Sequence, residues 1–197
     1  MGAINMLDDE AKETRYQALA NQVKQCHKCE GLNLERLTES SPGFGNLNSK
    51  VIIVGQSLCR KCMETQIPFT GGSGRLLDQA FKIANMKKSD VFITNVVHCH
   101  TPDNRKSLPH EIANCSPFLL EEIQIINPRV IIPLGQDAII SILGIDAWPT
   151  SVGKRVISNS HVVYPMYHPS YIMKRGRKAI SEYSSSLARI LVSETNS

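Results

Sequence analysis

The chain has 197 residues, of which 42% are hydrophobic, and a formal net charge of +4. That suffices for one well-filled core but is short for two. No apolar run approaches the ~20 residues of a membrane helix, and the mild positive charge permits a polyanionic partner without requiring one. The start, MGAINMLDDEAK, lacks the basic and then apolar pattern of a secretory signal. We therefore expect a soluble, cytoplasmic monomer folded as a single domain over 1–197, with an N-terminal helix and cysteine segment over 1–48 and a core over 49–192.

In chain order, a CxxC pair (Cys26 and Cys29) precedes the first strand-like run, VIIV at 51–54. Further β-branched runs follow: VFIT at 91–94, VIIPL at 130–134 and HVVYP at 161–165. The first three are near-continuously apolar, as central parallel strands buried on both faces are. Helical periods separate them. Segment 73–86 sets Leu76, Leu77, Ala80, Phe81 and Ala84 on one face. Segment 109–127 opens on Pro109, a favourable first helical residue, and carries Leu119, Leu120, Ile123 and Ile126; Pro117 should bend it. Segments 136–143 and 179–191 complete the set, and 148–160 reads as a turn or hairpin excursion. The alternation predicts an α/β fold: a three-layer α/β/α sandwich around a four-stranded, mainly parallel sheet. In such sheets the ligand crevice lies beyond the carboxyl ends of the strands. Gly55-Gln56, Asn95, Gly135 and His168 each follow one of the four strands.

Cysteines stand at 26, 29, 59, 62, 99 and 115. Without a secretory signal, metal ligation or inert thiols are favoured over a disulfide framework. Two metal sites are compatible with the spacing. Cys26/Cys29 and Cys59/Cys62 could form a tetrahedral zinc site, or Cys26, Cys29, Cys99 and Cys115 could hold an iron–sulfur cluster. Spacing alone leaves both open.

Several further motifs occur in a fixed order: GQSLC at 55–59, PFTGGSGRLLD at 68–78, TNVVHCHTPDNR at 94–105, CSPFLLEEI at 115–123, PRVIIPLG at 128–135 and His168-Pro169-Ser170. Together with the CxxC pair, this series resembles the family 4, iron–sulfur branch of the uracil-DNA glycosylase superfamily over most of the chain, from about Cys26 to about Arg175. The resemblance implies a monofunctional DNA glycosylase that flips out and hydrolytically excises a base. It favours a [4Fe–4S] cluster on Cys26, Cys29, Cys99 and Cys115, mainly structural in role.

Under that resemblance Phe69 stacks on the extruded base, Asn95 reads its edge, and His168 donates a hydrogen bond where negative charge builds on the departing base. Gly55, Gln56 and Ser57 form the pocket wall and water site. Gly71, Gly72, Ser73, Ser170, Tyr171, Ile172 and Met173 meet DNA, with an apolar side chain available as a wedge. Lys174, Arg175 and Arg177 meet phosphates, so binding should weaken with salt.

The first motif departs from the family. Gln56 stands for a glutamate, Leu58 for a proline and Cys59 for a glycine, and His98 and His100 replace two permanent cations beside the third cluster cysteine. Uracil and a larger modified pyrimidine, such as hydroxymethylated or glucosylated cytosine in phage DNA, both remain open as substrates, as does a binding module without turnover. Cys59 and Cys62 are expected to be inert or pocket-lining thiols.

Overall fold

The computed structural model describes residues 2–195, with side chains from Asp9 onward. A long helix α1 (Gly2–Lys24) is followed by strands β1 (Phe44–Gly45) and β2 (Val51–Leu58), helices α2 (Arg60–Thr65) and α3 (Gly74–Ile83), and strand β3 (Phe92–His100). Helix α4 (Pro109–Ile126), strand β4 (Val130–Pro133), helix α5 (Gln136–Leu143), strands β5 (Val156–Ser158) and β6 (His161–Val163), and helices α6 (Pro169–Met173) and α7 (Gly176–Thr195) complete the chain.

The expected strands form the parallel run β3-β2-β4-β6. The sheet has six strands instead of four, because β1 and β5 add short antiparallel edges in the order β1-β3-β2-β4-β6-β5. Strands of two and three residues are too short to show an alternation in sequence. The β5–β6 hairpin turns at Asn159 and Ser160, both at positive φ (45° and 69°), as the tight turns that match strand twist require.

Side-chain alternation along β2 explains the layers. Ile52 and Val54 enter a core shared with Leu19 and Val23 of α1, Phe118 and Leu119 of α4, and Ala138 of α5. Val51 and Ile53 enter a second core with Leu77 and Phe81 of α3 and Leu187 and Leu191 of α7. Every residue of β3 is buried. Helix α4 runs as one element through Pro117, with Pro109 at its start and the Glu111 carboxylate accepting the Leu108 N–H at 2.7 Å. Among the described residues no helix is long and apolar enough to cross a membrane.

Candidate active site

A cavity of about 910 Å³ opens beyond the carboxyl ends of the four parallel strands. It gathers Gln56 from the end of β2, Asn95 from β3, Gly135 after β4 and His168 after β6, together with Phe69 from the loop before α3. The convergence follows from topology, since parallel strands present their carboxyl ends on one side.

Gly55 and Asn95 are paired neighbours in the β2–β3 register. A methyl group on Gly55 would lie 2.4 Å from Asn95 Oδ1 and 2.8 Å from Phe69 Cζ, so only glycine lets the carboxamide and the ring close over this backbone. Phe69 is buried and adopts φ +54°, a left-handed conformation that costs a bulky residue roughly 1–2 kcal/mol. Two contacts retain it. Lys88 Nζ, itself 2.7 Å from Asp78 Oδ1, donates to the Phe69 carbonyl at 2.8 Å. The backbone of Gly74 passes so close that a Cβ there would sit 1.7 Å from the same oxygen.

His168 caps the start of α6. Its Nδ1 accepts the Ser170 backbone N–H at 3.2 Å and lies 2.7 Å from Ser170 Oγ. An accepting Nδ1 leaves the proton of the neutral ring on Nε2. Burial holds the pKa below the ordinary histidine value, so the neutral tautomer with an Nε2–H donor prevails at neutral pH.

Gln56 Nε2 reaches the Arg105 carbonyl at 3.5 Å, a weak contact, and Ser57 Oγ lies 3.5 Å from Thr101 Oγ1. The Arg105 segment is anchored in turn. Its guanidinium grips Glu111 through two bonds of 2.6 and 3.0 Å, and that hydrogen-bonded charge holds the Glu111 carboxyl below its usual range. Lys106, Asp137, Trp148 and Tyr167 also line the cavity. Sequence reading passed over them; position supplies a signal for two, since Asp137 lies two residues past the strand-end Gly135 and Tyr167 directly precedes His168.

Cys59 and Cys62 line the pocket, but not as free thiols: they are joined as a disulfide across the first turn of α2. The CxxC spacing brings the sulfurs together because Cys59 is the N-cap of that helix, its Sγ accepting the Cys62 N–H at 3.1 Å. Gly71, Gly72 and Ser73 lie on the cavity rim. In the α6 turn Ile172 is only 7% exposed and packs in the second core, so it is not a surface wedge; the outward side chain is Tyr171, 40% exposed. Tyr171 stacks on Tyr167 with centroids 4.8 Å apart, and the Arg175 guanidinium lies 4.3 Å above its ring. Met173 is half-buried, while Ser170, Lys174, Arg175 and Arg177 are exposed.

The other four cysteines meet at the far end of β3. Cys26 and Cys29 pack against the core that contains Cys99 and Cys115. Burial first, then the charges of Cys115, Cys26 and Cys29, pushes the Cys99 thiol up to about 12. The four thiols are near enough for the charge of one to raise the pKa of another, and thiols, once ionised, are metal donors. Among the described residues no group of three or more His, Cys, Asp or Glu is arranged to hold a metal ion. The paired zinc site is overturned on its own terms, because Cys59 and Cys62 are bonded to each other in the pocket wall. His98 and His100 do not stand at a DNA surface either: both are buried. His98 Nε2 lies 3.1 Å from Glu122 Oε2, and His100 Nδ1 lies 2.9 Å from the Leu58 carbonyl. Glu122 also accepts from Thr94 Oγ1 and from the Gly43 N–H.

Residues 42–190 match the model of the uracil DNA glycosylase superfamily. The chain is 35% identical over 173 residues to the type-4 uracil-DNA glycosylase of Thermotoga maritima, covering 83% of this chain and 85% of that protein. It is 38% identical over 120 residues to the type-4 uracil-DNA glycosylase of Pyrobaculum aerophilum, 60% of each chain, and 33% identical over 162 residues to that of Sulfurisphaera tokodaii, 77% of this chain and 73% of the relative. With the cavity at the strand ends and the motif residues gathered around it, the chain belongs to the uracil-DNA glycosylase superfamily.

Proposed function

We propose that the protein is a monofunctional DNA glycosylase that extrudes uracil, or a modified pyrimidine, and hydrolyses its N-glycosidic bond to leave an abasic site. One observation carries this reading: Phe69, Asn95 and an Nε2-protonated His168 share one cavity. Phe69 stacks on the extruded base, a contact worth about 1–3 kcal/mol. Asn95 offers both a donor and an acceptor to the base edge. His168 donates from Nε2 to a base carbonyl as negative charge accumulates there, a donor of the kind worth about 3 kcal/mol. Gln56 orients water and contacts sugar or base. Tyr171, Lys174, Arg175 and Arg177 meet the flanking DNA.

Cys26, Cys29, Cys99 and Cys115 would hold a [4Fe–4S] cluster, whose contribution is a covalent cross-link of the segment after α1 to the end of β3 and to α4. The chain's own residues carry the base chemistry.

A second reading rests on the cavity wall. Gln56, Leu58 and Cys59, the last in a disulfide with Cys62, line it where the family carries glutamate, proline and glycine, and that altered wall supports a hydroxymethylated or glucosylated cytosine in phage DNA as substrate and an antiviral role.

Base release from labelled single strands and duplexes tests both readings, with abasic sites revealed by alkali and heat. Release from uracil supports repair. Release confined to hydroxymethylcytosine or its glucosylated form supports the second reading, and tight binding with no release from any substrate leaves a modified-base binding module.

A further inference from the structure

Hydrolysis of an N-glycosidic bond builds positive charge on deoxyribose and needs a water relieved of a proton. The carboxamide of Gln56 cannot accept that proton, nor carry a negative charge toward the sugar. Among the described residues that line the cavity, one carries a carboxylate: Asp137.

Its placement is fixed by the fold. Asp137 is the second residue of α5, which starts directly beyond the end of β4, and the next two residues, Ala138 and Ile139, are fully buried. The preceding Gly135 packs so tightly on His168 that an added Cβ would lie 2.9 Å from the histidine Cβ. Asp137 therefore belongs to the same rigid wall as the donor to the base. Its Oδ2 is enclosed and has no hydrogen-bond partner among the described residues. A carboxylate in the first turn of a helix ordinarily bonds a free amide there; Oδ2 of this one does not, which leaves the carboxylate of a cavity-lining residue uncommitted as a cap.

The surroundings agree. Burial raises the Asp137 pKa, and the charge of Lys106 partly offsets this. Lys106 follows Arg105, whose carbonyl meets the Gln56 amide. Asp137, Lys106 and Gln56 thus form adjoining parts of one wall.

Resting on the glycosylase reading above, we propose that Asp137 supplies the carboxylate that position 56 lacks: it faces the cationic deoxyribose and takes the proton of the attacking water. In that step the water oxygen bonds to C1′ and the glycosidic electron pair leaves with the base, whose carbonyl is held by His168. The water proton passes to Asp137 and later to the base or solvent. Atoms and charge balance without any further reactant.

The test separates this role from turnover. Binding of the purified protein is measured to two single-stranded oligonucleotides, one with a neutral tetrahydrofuran abasic analogue and one with a cationic pyrrolidine analogue. Wild type should prefer the cation by about tenfold. Asp137→Asn should abolish the preference while binding the neutral analogue within about threefold of wild type. In single-turnover base release, Asp137→Asn should slow the reaction on the order of 10²-fold and remove the acidic limb of the pH profile. A preference that is absent in wild type, or unchanged in Asp137→Asn, overturns the proposal. Failure of wild type to release any base, with an Asp137-dependent preference intact, instead sinks the hydrolase reading and leaves the electrostatic role standing.

Discussion

The Phe69 ring and the His168 imidazole face one cavity with centroids 6.2 Å apart and planes 35° apart. A base sandwiched between two rings needs about 7 Å, twice a van der Waals contact. On the proposed reading the extruded base therefore stacks on Phe69 and meets His168 with its edge. The two residues should fail differently. Phe69→Ala should raise KM by about tenfold or more through the lost stacking, whereas His168→Ala should lower kcat on the order of 10²- to 10³-fold with a smaller change in KM. Steady-state kinetics on a single-stranded substrate separates the two.

The same histidine sets a pH dependence. Its pKa is lowered by burial, so the Nε2–H donor form persists as pH falls through the ordinary histidine value near 6.5. Protonating Nδ1 would break its acceptance of the Ser170 N–H. Any loss of rate assigned to His168 should therefore begin below the ordinary histidine range. A rate profile of Asp137→Asn, which lacks the carboxylate limb, isolates it; a limb centred at or above 6.5 would contradict the buried neutral ring.

Gly55→Ala should abolish base release while the sheet survives. The added methyl meets Asn95 Oδ1 at 2.4 Å and Phe69 Cζ at 2.8 Å, distances that force the carboxamide and ring out of place. Circular dichroism should match wild type, with activity down by at least about 10²-fold.

Removing a thiolate should harm the fold before the chemistry. Cys99→Ser or Cys115→Ser should eliminate absorbance near 400 nm, expected of a purified iron–sulfur protein, and lower the melting temperature. Any folded fraction should release base at close to the wild-type rate. A colourless wild-type protein would remove the cluster from the account.

The buried pair His98 and Glu122 makes a separate stability prediction. Glu122 is fully enclosed and binds His98, Thr94 and Gly43 together. Glu122→Ala leaves three polar groups without that partner and should cost about 3 kcal/mol, or roughly 10 °C in Tm at this chain length. Thermal melts at neutral pH measure it directly.

The four parallel strands and their helices were legible because burial on both faces writes Val-Ile-Ile-Val runs into the sequence, and because β-branched runs alternate with helical periods. β1 and β5 were not: two or three residues in an edge strand carry no pattern. Position at strand ends singled out Gln56, Asn95 and His168 as candidates, and the structure brings the three around one cavity. The inward turn of Ile172 was hidden, since an apolar residue beside Tyr171 reads equally well as wedge or core. The pairing of His98 with Glu122 was hidden for a related reason, because the two lie 24 residues apart on different elements and no local pattern joins them. The Cys59–Cys62 bond was masked by a prior about compartment, which says nothing of two sulfurs one helical turn apart.

His168 is carried by the turn that follows β6, the last of the four parallel strands in chain order, and β6 joins the sheet by pairing with β4 some 30 residues earlier. A nascent chain that has already made Gly55, Phe69 and Asn95 therefore holds half a pocket without the His168 donor. Competence to cut a base from DNA therefore waits on β6, and a fragment that ends before it lacks that competence.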